Sequence, residues 1–195
     1  MPRPSQLDQQ RTALLPVVAK AFTELGYRRA TTAALAERCA VQENILYRLW
    51  PDKKAMFLAA IDYVYDLSER TWLELLARPG RSALGPAARL LEYESVHQGE
   101  FGHYRIIFSG LGEVDDPDIR AALASMFTRF HRFVHAQVAA QRRRRDALPP
   151  ELVAWALLGL GTVGNIAHEL GLLAPTARQR LLGEVGRELL GPTPD

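Results

Sequence analysis

One cysteine, Cys39, stands in 195 residues, so an internal disulfide is impossible, a disulfide-stapled scaffold is excluded and a reducing compartment is favoured. The start, Met1-Pro2-Arg3-Pro4-Ser5, leads into a charged segment without an apolar core, so no signal peptide is expected. The longest uncharged stretch, Leu152 to Ala167, is interrupted by Gly159, Gly161, Gly164 and Asn165. It falls short of the roughly 20 apolar residues that a membrane span needs. Period-two alternation of β-branched residues is almost absent, which argues against a sheet. There is no Gly-rich phosphate loop, no Gly-x-Ser-x-Gly elbow, no His-Glu-x-x-His and no cysteine cluster, so no enzyme signature is present. The expectation is a soluble cytoplasmic protein, not an enzyme, without cofactor, metal or membrane partner. An all-helical enzyme, or a protein-binding adaptor without DNA binding, is the alternative.

Hydrophobic residues make up 48% of the chain, and a chain of this length buries about 70% of its unfolded surface, enough for a core without staples. The near balance of 24 Lys and Arg against 22 Asp and Glu hides an asymmetry. Basic side chains outnumber acidic ones in residues 1–54, and the reverse holds for the remainder. A basic N-terminal module on a mildly acidic body suggests a polyanion-binding head.

Apolar positions recur at helical spacing nearly everywhere. Leu14, Val18, Ala21, Phe22 and Leu25 line a first helix that Gly26 ends; Pro16 either kinks it or starts its main segment. Thr31 or Thr32 caps a second helix ending near Cys39, and a third runs from about Gln42 to Leu49. Pro51 stops it, and Asp52 caps a long helix from Lys53 to about Ala77, closed by Pro79-Gly80. Further helices are expected over about 83–98 and 101–109, from Pro117 to Arg145, from Pro149-Pro150 to near Gly171, and from Pro175 to Leu190. The fold class is all-α, three short helices followed by roughly six longer ones.

Residues 31–50 carry the most information. Leu35, Ala36 and Cys39 give the second helix an apolar edge, Val41 fills the corner, and Ile45 with Leu46 give the third helix its inner face. A linker of two or three residues makes the helices cross steeply and leaves the third helix's other face exposed. Such a helix fits the major groove.

Arg11 to Phe57 resembles the N-terminal domain of the tetracycline-repressor (TetR-type) family of bacterial transcriptional regulators. Phe22, Gly26-Tyr27, Thr31-Thr32, Leu35-Ala36, Val41, Leu46-Tyr47-Arg48, Trp50-Pro51, Lys53 and Met56-Phe57 carry the likeness, in register and without a gap. Ala40 stands where that family's turn usually has Gly, at a left-handed cost of about 1–2 kcal/mol, and Gln42 and Asn44 replace small residues. The resemblance implies a helix-turn-helix DNA-binding domain, 1–52, and an effector-binding and dimerisation domain, 53–195. It implies a regulator, by default a repressor, that binds a palindromic operator in double-stranded DNA as a homodimer and is released by a small apolar or amphipathic effector.

By the same resemblance Gln42, Glu43 and Asn44 face bases, while Tyr47 and Lys53 meet phosphates. Chemically, Asn44 suits adenine N6/N7, and Glu43 either accepts from cytosine N4 or pairs with Arg48 or Lys54. Arg28, Arg29 and Thr32 sit at the approach to the second helix, where phosphates are commonly met.

In the body, Tyr63, Trp72, Tyr93, His97, Tyr104, Phe108, Phe127, Phe130 and His131 are the effector-pocket candidates, a mostly apolar set with a few polar tips. His131 and His135 have the i, i+4 spacing of metal ligands, with Glu94 and His97 on another helix as possible completions, but a solvated edge is the favoured reading. Residues 152–166 are apolar nearly all round and rich in small residues, so that helix must be buried on more than one side. The resemblance makes it, with the last helix, a dimer interface, for which Trp155, Leu158, Gly159, Thr162, Ile166, Leu181, Leu182 and Val185 are the candidates. The run Arg142 to Arg145 reads as solvated cations at a helix C-terminus.

Overall fold

The computed structural model describes residues 5–78, 84–97, 99, 102–141 and 148–191; Pro79-Gly80 and Arg142 to Arg145 lie outside them. Among these residues all regular structure is helical. The helices are α1 (Gln6–Arg29), α2 (Thr32–Arg38), α3 (Glu43–Leu49), α4 (Lys53–Ala77), α5 (Pro86–His97), α6 (Tyr104–Leu111), α7 (Pro117–Gln141), α8 (Pro150–Glu169), α9 (Pro175–Arg180) and α10 (Gly186–Leu190), with a π-helical turn, Leu181–Val185, joining the last two.

The first helix is not short. It runs for 24 residues and passes through Pro16, so residues 7–14 do not form a separate turn. Ser5 starts it with a capping box: its hydroxyl accepts from the Asp8 amide at 3.1 Å while the Asp8 carboxylate accepts from the Ser5 amide at 3.3 Å. The two hydrogen bonds satisfy amides that the helix leaves without partners. Gly26 breaks the regular backbone at φ 71° and ψ 163°, a conformation a side chain disfavours. Residues 27–29 therefore leave on a new course.

Compactness divides the chain into two units. The first takes α1 to α3, α4 through Leu67, α6 and the start of α7 through Met126. The second takes α4 from Ser68, α5, α7 from Phe127, and α8 to α10. In the first unit Phe22, Leu35, Leu46, Met56, Phe57, Ile61 and Ile106 are completely buried. Phe57 meets Phe22 edge-on at 5.0 Å and Tyr27 at 4.7 Å, the separations at which aromatic pairs attract beyond simple burial.

In the second unit Ala87, Ala88, Val138, Val153 and Leu190 form the buried centre, with Leu91, Val134 and Leu157 against it. Gln141 is buried with them, and its Oε1 accepts from the Ala88 amide at 3.0 Å. Arg89 closes the C-terminal end of α4 by donating to the carbonyls of Leu75 at 2.6 Å and Arg78 at 2.8 Å. Gly186 has no room for a larger residue, because a Cβ there would sit 2.6 Å from the Leu91 side chain.

The helix α8 has 20 residues, and by length and composition alone it is long and apolar enough to cross a membrane. This corrects the expectation drawn from the uncharged stretch, because the helix extends beyond it at both ends. Its apolar surface is nevertheless two-sided. Val153, Ala154, Gly164 and Ala167 are buried within the chain, while Leu152, Trp155, Val163, Ile166 and Leu170 are exposed.

Candidate functional site

The reading head is built by α2 and α3. Thr31 caps α2, its hydroxyl accepting from the Ala34 amide at 3.1 Å. The helix ends at Cys39, and Ala40 takes the left-handed conformation, φ 52°. That single reversed residue turns the chain, and the Val41 amide donates back to the Ala36 carbonyl at 3.0 Å. Burial pushes the Cys39 thiol up, away from the thiolate a redox switch requires.

Leu46, Leu49 and Trp50 anchor the inner face of α3, each less than 5% exposed. Its outer face carries Gln42, Glu43, Asn44, Tyr47 and Arg48, all exposed. Gln42 is the N-cap residue but makes no side-chain cap, so its amide is not spent on the helix.

Several predicted contacts are engaged within the first unit. Tyr47 donates its hydroxyl to Thr32 Oγ1 at 3.1 Å. Lys53 donates from Nζ to the Tyr27 carbonyl at 3.0 Å and lies 4.4 Å above the Tyr27 ring; two further N–H donors remain on that ammonium. Arg28 donates to Glu113 Oε1 at 2.6 Å and to the Gly112 carbonyl at 3.3 Å, and Arg29 to the Leu25 carbonyl at 3.0 Å. The pairing of Glu43 with Arg48 or Lys54 is not made. Arg48 reaches Gln10 Oε1 at 2.9 Å, and Lys54 holds Asp116 at 3.2 Å and Asp118 at 2.6 Å. Those two hydrogen-bonded carboxylates hold the Lys54 ammonium well above its usual range.

The residue that the sequence does not announce is Arg11. From α1 it donates Nε and Nη2 to the Leu49 carbonyl at 3.1 and 2.6 Å. That carbonyl belongs to the last turn of α3, where helical acceptors lack partners and the dipole is negative. With Arg48 on Gln10, it couples α3 to α1 at two points. Arg38 on Glu24 does the same for α2.

The effector candidates divide between the units. Tyr63, Tyr104 and Phe108 belong to the first, where Tyr104 is buried and meets Phe108 edge-on at 5.7 Å. Trp72, Tyr93, His97, Phe127, Phe130 and His131 belong to the second. There Trp72 packs against Phe130 at 5.5 Å and against Phe133, outside the predicted set, at 5.2 Å. Its indole N–H donates to Glu94 Oε1 at 2.6 Å. Tyr93 and His97 lie 4.4 Å apart. His131 stacks on Trp155 at 4.5 Å and 20°, and its Nε2 is 3.2 Å from the Glu151 carbonyl. His131 and His135 are neighbours at 5.9 Å, and no group of three metal-ligating side chains forms among the described residues.

Of the dimer candidates, Trp155, Gly159, Ile166 and Val185 are exposed, and Leu158, Thr162 and Leu181 half-buried. Leu182 is a correction: it is only 3% exposed, enclosed by the chain's own helices, and offers a partner nothing. The π-helical turn sets which neighbours point inward there, a register that straight helical periodicity does not give. Leu152, Val163 and Leu170, outside the predicted set, are 56%, 53% and 66% exposed and extend the same stripe.

Residues 15–60 match the bacterial regulatory proteins of the tetR family. A nucleoid occlusion factor SlmA of Glaesserella parasuis is 27% identical over 127 residues, 65% of this chain and 63% of that protein. The SlmA of Haemophilus ducreyi is 36% identical over 64 residues, 33% and 32% of the two chains. The match thus spans less than two thirds of these curated relatives. Among solved structures, a TetR-family regulator from Cytophaga hutchinsonii superposes with a TM-score of 0.79 at 16% identity, over 97% of this chain and 96% of that one. A protein described as a transcriptional regulator from Saccharomonospora viridis, solved in complex with choline, gives 0.77 at 15% identity, over 91% and 95%. Both likenesses extend the fold through the body. Residues 15–60 thus carry the N-terminal domain of the tetR family of bacterial regulatory proteins, and the whole chain shares the fold of these solved regulators.

Proposed function

We propose that this protein is a cytoplasmic, homodimeric transcriptional regulator, a repressor, that reads a palindromic operator with α3 and is released by a small apolar or amphipathic effector. The observation that carries this reading is the two-faced α3: an inner face sunk in the core and an outer face of Gln42, Glu43, Asn44, Tyr47 and Arg48 held in solvent. An exposed polar helix on a rigid support is what major-groove readout requires. In this reading residues 1–52 bind DNA, and residues 53–195 bind the effector and the second copy.

The exposed stripe of α8 supports the dimer. Leu152, Trp155, Gly159, Val163, Ile166 and Leu170 fall at three- and four-residue spacing, and at Gly159 a Cβ would meet nothing within 4 Å. A contiguous apolar stripe on a water-soluble regulator marks an interaction face, and two copies about a two-fold axis place reading heads roughly 34 Å apart, one helical turn of DNA. Trp155, Leu158, Gly159, Thr162, Ile166, Leu181 and Val185 are assigned to it.

The test is binding to a palindrome upstream of the chain's own gene, followed by fluorescence anisotropy at rising salt. Specific binding should weaken steeply with salt. Lys53→Ala should weaken all sequences alike, and Asn44→Ala should relax preference at one base position by about 1–3 kcal/mol. Equal loss from both variants on specific and random DNA would overturn the assignment of α3. The likeness to nucleoid occlusion factors extends beyond the head, over 127 residues, and favours a second reading in that process. Deleting the gene separates them: a repressor's loss raises transcripts beside the operator, whereas an occlusion factor's loss impairs nucleoid occlusion and leaves those transcripts unchanged.

A further inference from the structure

The effector reading leaves the chemistry of the molecule open, and the second unit points to an answer. Trp72 of α4 is the hub. Its ring packs on Phe130 and Phe133 of α7, and its Nε1 donates to Oε1 of Glu94 on α5 at 2.6 Å. Three helices thus bring aromatic faces and a carboxylate to one place. Glu94 is half-buried, and desolvation pushes its carboxyl up against the opposing pull of the Trp72 hydrogen bond and the His97 field. Among the described residues it has no ion-pair partner, and the Trp72 indole is its one hydrogen-bond partner. His97, three residues on, is exposed at the end of α5 with its ring against Tyr93, so it acts on Glu94 through its field alone.

A carboxylate partly withdrawn from water and set among rings is stabilised by a cation beside it. Aromatic faces carry the negative side of the ring quadrupole and attract positive charge. The carboxylate and the rings therefore ask for the same ligand, and a neutral or anionic one would answer neither. We propose that the effector is an amphipathic organic cation whose ammonium group sits between the Glu94 carboxylate and the rings of Trp72, Phe130 and Phe133. This rests on the effector reading and narrows it to one chemical class.

The experiment titrates the full-length protein by calorimetry with benzyltrimethylammonium and, separately, with neopentylbenzene, its neutral carbon isostere. The cation should bind at least about tenfold more tightly. In Glu94→Gln that preference should fall to the few-fold part that the rings supply, while the affinity of the isostere changes by less than about twofold. Phe133→Leu should weaken the cation by about threefold and leave the isostere nearly unchanged. A merely structural Trp72–Glu94 hydrogen bond would move the melting temperature and not the ratio of the two affinities. Equal binding of the two probes, a preference undiminished in Glu94→Gln, or no binding of either overturns the proposal. Operator release is read in parallel. If the isostere binds and releases the operator but the cation does not, the effector reading stands and the cationic class falls. If the cation binds through Glu94 and operator occupancy is unmoved, the effector reading falls.

Discussion

The reading head and the body meet water in opposite ways. Around α2 and α3 the large apolar side chains are covered by the chain itself, and the outer surface is polar. In the second unit α8 turns an apolar stripe outward while Glu94 lies half-buried beside aromatic rings. A surface that hides its apolar groups is finished as a single chain. A surface that shows them, beside a half-buried carboxylate without an ion-pair partner among the described residues, is finished only by something else. On the proposed reading the body lacks two pieces, a second copy for the stripe and a cation for the carboxylate, and the head lacks only DNA.

Substitutions sharpen or break that contrast. The largest effect is expected in the head. Phe57 is completely buried against Phe22 and Tyr27, so Phe57→Ala should cost about 3–5 kcal/mol and lower the melting temperature by roughly 10 °C, read by circular dichroism. On α8 the outcome should be different in kind. Val163→Glu puts a charge into the proposed two-fold contact, which should weaken dimerisation by about a hundredfold or more, measured by sedimentation equilibrium. If the variant remains a dimer, the stripe is not the interface and the contrast fails on that side.

Arg11→Ala comes next. It removes two hydrogen bonds to the last turn of α3, and because the side chain is half-exposed the loss should be about 1 kcal/mol. Thermal melts report that cost, and operator affinity should fall with it, since the helix is no longer held at its end. The smallest effect has the opposite sign. Ala40 is held at φ 52°, so Ala40→Gly relieves left-handed strain of about 1–2 kcal/mol and gives part of it back as unfolded-state freedom. The net gain should be about 0.5–1 kcal/mol, a rise in melting temperature of a few degrees.

What was legible in the sequence is what local rules decide. Thr31, Asp52 and Gly26 mark helix ends because capping and φ are settled within a few residues. The two faces of α3 follow from the order of apolar and polar positions between Val41 and Trp50, and the strained Ala40 is visible as a departure at a turn. The reach of Arg11 to Leu49 is not legible, because it joins positions far apart in sequence on the strength of packing alone. The same holds for Lys53 on the Tyr27 carbonyl, Arg28 on Glu113 and Phe133 against Trp72. Leu182 was misplaced for another reason, since a π-helical turn shifts the periodicity on which its orientation was inferred.

The two tethers between α1 and α3 have a mechanical consequence. Spinning α3 about its own axis would break Arg11–Leu49 and Arg48–Gln10 together, so both tethers oppose a roll of the helix to suit a new base sequence. Tilting the three N-terminal helices as one block is the easier adjustment, and in the proposed dimer it moves both heads along the duplex. Such a protein should forgive a changed base more readily than an inserted one between half-sites.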